Sequence, residues 1–267
     1  MYEHLRFPGG KSRAITMSFD DGCVQDVRLV EILRKTRLKA TFNLNSGMYG
    51  EGRRMTHGSA VSLFRGGKHE IAVHGVRHRT LTYLDRESLI AEVAGDKRAH
   101  EEDFGGEVIG LAYPYGKQDE RVIETLRECG IEYARAGGPS MSLSIPSDRM
   151  RWEPTLHYSN GRLFDMCEKL TAEGDDARLL YVWGHSYEFD DRNNWEIIEK
   201  FAREMGNRDD IYYATNGELH RYLRAYESLV FDGARIYNPT ERVVYLSVDG
   251  REITLGAGET VAVRESD

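Results

Sequence analysis

Cysteine and proline are scarce in this chain of 267 residues, which has three of the first and six of the second. Cys23, Cys129 and Cys167 are odd in number, far apart and without a CxxC pair, so the expectation is free thiols in a reducing compartment rather than a disulfide framework. With 27 glycines and 40% hydrophobic residues, the composition excludes collagen-like, proline-rich and low-complexity chains. No apolar run approaches the roughly 20 residues that span a bilayer. Met1–Lys11 carries Glu3, Arg6 and Lys11 where a secretory signal would need an apolar core of about 7–15 residues. A cytoplasmic protein with no membrane partner is therefore expected. Excess positive charge is missing too. The net charge of -8 argues against a nucleic-acid partner, because phosphate binding needs a basic face. Oligomeric state is not legible in these numbers.

What the chain does have is alternation. Short apolar runs at 14–19, 40–44, 69–73, 108–113, 131–134, 179–183 and 211–214 read as buried strands, and Arg151–Glu153 as a further one. Between them lie segments of helical period at 24–36, 60–64, 86–104, 118–129, 163–173, 195–205 and 217–229. In the first of these, Val27, Val30, Ile32 and Leu33 are expected to face inward. Seven or eight β/α units favour a parallel (β/α) barrel, distorted or incomplete, over a doubly wound sheet. No glycine-rich dinucleotide loop follows the first strand. From about Phe231 the pattern changes to short strands joined by Asn238-Pro239, Asp249-Gly250 and Gly256–Gly258, and Asp-Gly between alternating apolar positions is a hairpin signal. The expected division is a barrel over 1–230 and a small β appendage over 231–267, packed on the barrel because it is too short to make a core alone.

The residues with chemical potential cluster just after the strands, where barrels carry their sites. Asp20 and Asp21 follow the first strand. Adjacent carboxylates repel, so a role for both is easiest if one faces a cation; as a turn and helix cap they need none. His74 and His78 follow the third strand with a spacing that lets two imidazoles reach one metal, and two histidines with a carboxylate form a recurrent catalytic metal set. Spacing alone is a weak sign among nine histidines. Tyr113-Pro114-Tyr115-Gly116 is a rigid bend that can aim the Tyr115 N–H into a site, or simply end a strand. His185 follows the strand at 179–183 and can donate a proton to a departing amine. Trp183 and Trp195 can stack on a sugar ring, although tryptophans so placed more often pack in a core.

Together these segments resemble the polysaccharide deacetylases, the NodB-homology hydrolases, over about Ile15–Ala214. Ser-Phe-Asp-Asp-Gly at 18–22 matches that family's first motif, His-Gly-Val-Arg-His at 74–78 its His-x-x-x-His motif and Pro-Tyr-Gly at 114–116 the third, while His185 matches the last. The resemblance implies a divalent metal, zinc with cobalt or nickel as alternatives, held by Asp21, His74 and His78. It implies Asp20 as general base, the Tyr115 N–H as oxyanion donor and His185 as general acid, with Tyr113, Pro114 and Trp183 lining the substrate. The implied partner is an N-acetylated carbohydrate and the implied reaction is its N-deacetylation.

The chain departs from the family pattern in several places. Ala112 stands where the family usually has an arginine that pairs with the base. Arg135, at the end of the fifth strand, is expected to supply that cation, with Arg151 as second choice. Gly75 replaces a usual Ser or Thr, Trp183 replaces a leucine, and Arg151-Trp152-Glu153 is the nearest match to the fourth motif, an aspartate beside an aromatic. Two other readings stay open on the sequence: a metal-dependent hydrolase of a non-sugar cyclic or N-acyl amide, and a catalytically idle carbohydrate-binding relative.

Overall fold

The computed structural model describes residues 2–233 and 235–263. The main sheet has eight parallel strands, β2 (Arg13–Asp20), β3 (Thr41–Leu44), β4 (Glu70–Val73), β5 (Gly110–Ala112), β6 (Tyr133–Arg135), β7 (Leu156–His157), β8 (Arg178–Gly184) and β9 (Ile211–Tyr213). Seven of them run in the order β6-β5-β4-β3-β2-β8-β7, and β9 pairs with the first residues of β2. The sheet curls into a distorted (β/α) barrel. Its closure is irregular: Trp152 bridges to Arg135 of β6, and β7 a few residues later pairs with β8. The strand expected at Arg151–Glu153 is thus replaced by a helical turn at Arg149–Arg151, and the true strand lies at 156–157. Trp152, fully buried, still supplies the hydrophobic anchor that the pattern had suggested.

Helices α1 (Asp26–Arg34), α2 (His57–Phe64), α3 (Arg86–Phe104), α4 (Glu120–Glu128), α5 (Leu163–Thr171), α6 (Tyr187–Asp191), α7 (Trp195–Met205) and α8 (Asn216–Glu227) complete the units. Their starts are written locally. Asp85 and Asp119 accept N–H bonds from Ser88 and Val122, and Thr215 with Glu218 makes a reciprocal capping box on α8. In α1, Leu29, Val30 and Leu33 are buried, whereas Val27 is 42% exposed. Val30 and Leu33 thus face inward as expected, Leu29 joins them, and Ile32 is only half-buried. Trp195 stacks on Phe189 in the core, where most such tryptophans belong.

After α8 come β10 (Val230–Asp232), β11 (Arg235–Tyr237), β12 (Val244–Val248), β13 (Arg251–Leu255) and β14 (Thr260–Ala262). They form two three-stranded sheets, one of which takes in β1 (Leu5–Arg6) from the start of the chain: Leu5 is in register with Leu246. Leu5, Phe7, Ile236, Leu246, Ile253 and Leu255 share one apolar cluster with Ala14, Leu179 and the α8 residues Tyr222 and Leu223. The Tyr222 hydroxyl donates to the Arg6 carbonyl and accepts from the Tyr245 N–H at 3.0 Å. This packing touches the strand starts, at the opposite end of the barrel from the strand ends. Among the described residues no helix is long and apolar enough to cross a membrane.

Leu246 is 1% exposed at the centre of this cluster. Leu246→Ala should lower the free energy of unfolding by about 2–4 kcal/mol, the usual cost of a core cavity. Urea denaturation measures it, and a change below about 0.5 kcal/mol would mean that the tail adds nothing to the stability of the fold.

Candidate active site

The ends of β2, β4, β5, β6 and β8 surround a cavity of about 430 Å³, lined among others by Asp20, Asp21, His74, His78, Tyr115, Arg135, Trp183 and His185. Asp20 is the last residue of β2 and is 2% exposed. Asn43, its partner in register on β3, donates to Asp20 Oδ1 at 2.7 Å while also reaching Ser18 Oγ at 2.7 Å. The Arg135 guanidinium donates to Asp20 Oδ2. Burial works to raise this carboxyl, but Arg135, assisted by His74, His185 and Asn43, outweighs it and holds Asp20 down at about 2. Asp20 is therefore ionised across the neutral range.

Asp21 turns the chain away from the strand with φ of 79°. Its Oδ1 accepts from Arg54 at 2.9 Å and lies 3.7 Å from His78 Nε2. The ligand-type atoms of Asp21, His74 and His78 all fall within 4.8 Å of one another. His74 Nδ1 is 2.8 Å from the Ala112 carbonyl, which can only accept, so Nδ1 carries the proton and Nε2 is left free for the cavity. Burial, with His74 and Arg54 as neighbours, brings His78 down to about 4 against the pull of Asp21, so its ring is neutral near pH 7. One carboxylate and two imidazoles gathered around one point are a donor set that fits a divalent transition metal. Further contacts brace this loop. Asp96 on α3 accepts the His74 N–H at 3.0 Å and the Ser46 N–H at 2.7 Å, and Asn45 donates to the His74 and Gly75 carbonyls. Gly75 has φ of 81°, and a Cβ there would meet Glu92 Oε2 at 3.0 Å, which accounts for glycine where the family pattern has a hydroxyl residue.

The Pro-Tyr-Gly bend is as sharp as its composition suggests: Tyr115 has φ of 60° and Gly116 of 68°. A Cβ on Gly116 would stand 2.7 Å from Gly137 Cα, so two loops touch backbone to backbone here. No described group accepts the Tyr115 N–H, and the Tyr115 ring packs edge-on to His78 at 4.7 Å. Pro114 and Tyr113 are buried; Tyr113 lines the cavity, and its hydroxyl donates to the Met150 carbonyl at 2.9 Å. Trp183 does line the cavity, with the Arg135 guanidinium 4.5 Å from its ring centre. Ala112 and Arg135 are neighbours in register on β5 and β6. Arg151 pairs instead with Asp148 and Glu120 at the surface. His185 points Nε2 at Asp20 Oδ2 from 3.8 Å.

The comparisons with known proteins bear on the fold. The family model for polysaccharide deacetylases matches residues 8–134. The match covers just under half of the chain. In fold the chain is similar to a Mycobacterium smegmatis protein described as a polysaccharide deacetylase, with a TM-score of 0.62 at 17% identity over 84% of this chain and 94% of that one. It is also similar to a family 4 carbohydrate esterase from Streptomyces lividans in complex with acetate, with a TM-score of 0.50 at 16% identity over 74% of this chain and 91% of that one. A pseudoenzyme of the same esterase family from Bacillus anthracis shares the fold as well, with a TM-score of 0.51 at 14% identity over 78% and 65%. No curated protein matches the sequence.

Asn43, Asp96, Arg54, Glu188 and His157 were not found from sequence. Only Asn43 left a trace there, as a polar residue inside the apolar run Thr41–Leu44.

Asp26 sits behind the site, fully buried, and neither carboxyl oxygen has a hydrogen-bond partner among the described residues. Burial, with Asp21 and Asp20 adding to it, outweighs the lowering effect of the Ser186 hydroxyl, which lies beside the carboxyl short of hydrogen-bond geometry, and pushes the carboxyl up to about 8. The unfolded carboxyl loses its proton near pH 3.9, whereas the folded one keeps it until about 8. Stability must therefore fall as pH rises through that window, by at most about 1.4 kcal/mol per pH unit. Asp26→Asn should match the parent near pH 4 and be more stable at pH 8, as read from urea unfolding across that range. Parallel pH profiles for the two proteins would show that Asp26 is ionised in the fold.

Proposed function

We propose that the chain is a metal-dependent hydrolase that removes N-acetyl groups from acetylated sugars. The observation that carries this reading is the gathering of Asp21, His74 and His78 ligand atoms within 4.8 Å, beside an ionised Asp20 and opposite His185. A divalent ion held by these three side chains would supply Lewis acidity, lowering the pKa of water toward about 7 and polarising the amide carbonyl.

The protein's own groups divide the remaining work. Asp20 takes the proton of the attacking water. Arg135 and Asn43 hold both of its oxygens, so the carboxylate cannot swing away between turnovers. The Tyr115 N–H, free of other acceptors, donates to the carbonyl oxygen as negative charge builds there. His185 gives a proton to the nitrogen as the C–N bond breaks, since an amine cannot leave as an anion. Trp183 is stiffened by Arg135 on one face and forms a wall for the sugar. Arg135 does from β6 what the family's usual arginine does from the position of Ala112, which speaks against an idle relative.

Purified protein supplied with zinc or cobalt should release acetate from chito-oligosaccharides. Asp20→Asn should lose about 10²–10⁴-fold in turnover, the usual worth of a general base. His78→Ala should weaken zinc binding in calorimetry by more than the roughly 10–100-fold that outer-shell partners cost. Arg135→Ala should lower turnover while leaving zinc affinity intact. Full activity in Asp20→Asn would remove Asp20 from the mechanism, and turnover of simple cyclic or N-acyl amides without turnover of sugars would move the reading to another amide.

A further inference from the structure

Behind His185 lies a second cluster that the proposed reaction leaves without a task. His157, at the end of β7, and Glu188, on α6, bring their ligand-type atoms within 4.8 Å of each other and of His185. Glu188 is its centre. Oε2 lies 2.8 Å from His157 Nε2, and Oε1 lies 3.8 Å from His185 Nδ1. One helical turn on, Arg192 donates to Oε1 at 3.2 Å and to Ser159 Oγ at 2.6 Å.

Two chemistries suit such a group, a second cation site or a brace of hydrogen bonds, and the protons decide between them. The Ser159 N–H donates to His157 Nδ1 at 3.3 Å, which makes Nδ1 the acceptor of that ring. Its proton is then on Nε2, the atom that faces Glu188, and a protonated nitrogen is no metal ligand. Glu188 already meets the Arg192 cation, so a divalent ion would be repelled from the same oxygen.

We propose that Glu188 and His157 are positioning residues for His185: His157 Nε2 faces one oxygen of the Glu188 carboxylate at 2.8 Å, and the other oxygen, at ion-pair distance from His185 Nδ1, favours the ring with Nδ1 protonated and Nε2 presented to the cavity. This rests on the reading of His185 as the proton donor. The groups that face His185 are Asp20 and Asp21 from the end of β2, Asp26 from α1, His157 from β7, and Tyr187 and Glu188 from α6. Burial works against a charge on His185, but Glu188, with Asp20 and Asp21, outweighs it and raises the imidazole above its ordinary value. Glu188 in turn is held well below the carboxylate range: burial raises it, and the two histidines more than compensate. After the proton leaves Nε2, the Nδ1 proton stays with Glu188, so the ring returns to the same tautomer each cycle.

Nitrogen-15 NMR of histidine-labelled, zinc-loaded protein reads tautomer and protonation of His185 directly. In the parent protein the neutral ring should carry its proton on Nδ1. Glu188→Gln should lower the His185 midpoint by about one pH unit, the lower end of what a carboxylate at this distance contributes, with the alkaline limb of acetate release moving to lower pH in step. His157→Leu should produce a shift of the same sign. His157→Gln, whose amide N–H can still donate to Glu188, should restore the parent value, a rescue that a loss of general packing would not give. Unchanged His185 midpoints in both Glu188→Gln and His157→Leu would overturn the proposal. So would a second equivalent of zinc bound by the parent and lost in His157→Gln, since that assigns the cluster to a cation. Because the NMR readout needs no turnover, a protein that released no acetate from any sugar would refute the proposed function while still deciding the role of Glu188.

Discussion

Three carboxylates crowded behind one strand end set the electrostatic problem that the rest of the site solves. Asp20, Asp21 and Asp26 lie within seven residues of chain, and two of them are buried. In a low-dielectric interior none can stay charged without compensation. Each is met differently. Asp20 has the Arg135 cation and the Asn43 amide, Asp21 has Arg54 and the two histidines beside it, and Asp26 keeps its proton. The arrangement yields what hydrolysis needs from adjacent acids: an ionised carboxylate with no mobility, a second one turned toward imidazoles, and no third charge to repel them.

In the proposed site, Arg135 would do from β6 what the family pattern assigns to an arginine at the position of Ala112. Parallel pairing sets Ala112 and Arg135 side by side at the ends of neighbouring strands. A long guanidinium from either position can span to the end of β2, because the curl of the sheet turns both toward the barrel axis. From β6 the side chain also crosses Trp183, which accounts for an aromatic ring at the end of β8 where leucine would leave the cation without a surface to lie on. The two departures from the family pattern, Ala112 and Trp183, are thus linked by one side chain.

Much of this was legible in the sequence because it is local. The alternation of strands and helices, the Asp-Asp turn, the paired histidines and the Pro-Tyr-Gly bend each depend on a few consecutive residues. What escaped depends on neighbours distant in sequence. Asp96 reaches the His74 N–H from the middle of a long helix, and Glu188 meets His157 across a gap of thirty-odd residues, with no motif to mark either. Boundaries failed for a related reason. The segment 149–157 has two jobs, anchoring Trp152 in the core and pairing with β8, so its strand slid past the apolar residues that suggested it.

The two ends of the barrel bear different loads, and this separation explains why the site tolerates so many polar groups. At the strand starts, β1 and the tail strands bury Leu5, Phe7, Leu246, Ile253 and Leu255 against α8, with few charges in the cluster. Apolar burial of this kind stabilises by roughly 25 cal/mol per Å², and here it costs the site nothing because no residue of the cluster lines the cavity. At the strand ends, polar atoms without a hydrogen-bond partner among the described residues accumulate instead: both Asp26 oxygens, Arg135 Nε, Trp183 Nε1, His185 Nδ1, Ser186 Oγ and Glu188 Oε2. Each such group is a stability loss of about 1–3 kcal/mol when nothing pairs with it. A fold can carry that concentration of loss at one end only if the other end compensates for it, and the β1–β12–β13 sheet packed on α8 is where this chain does so.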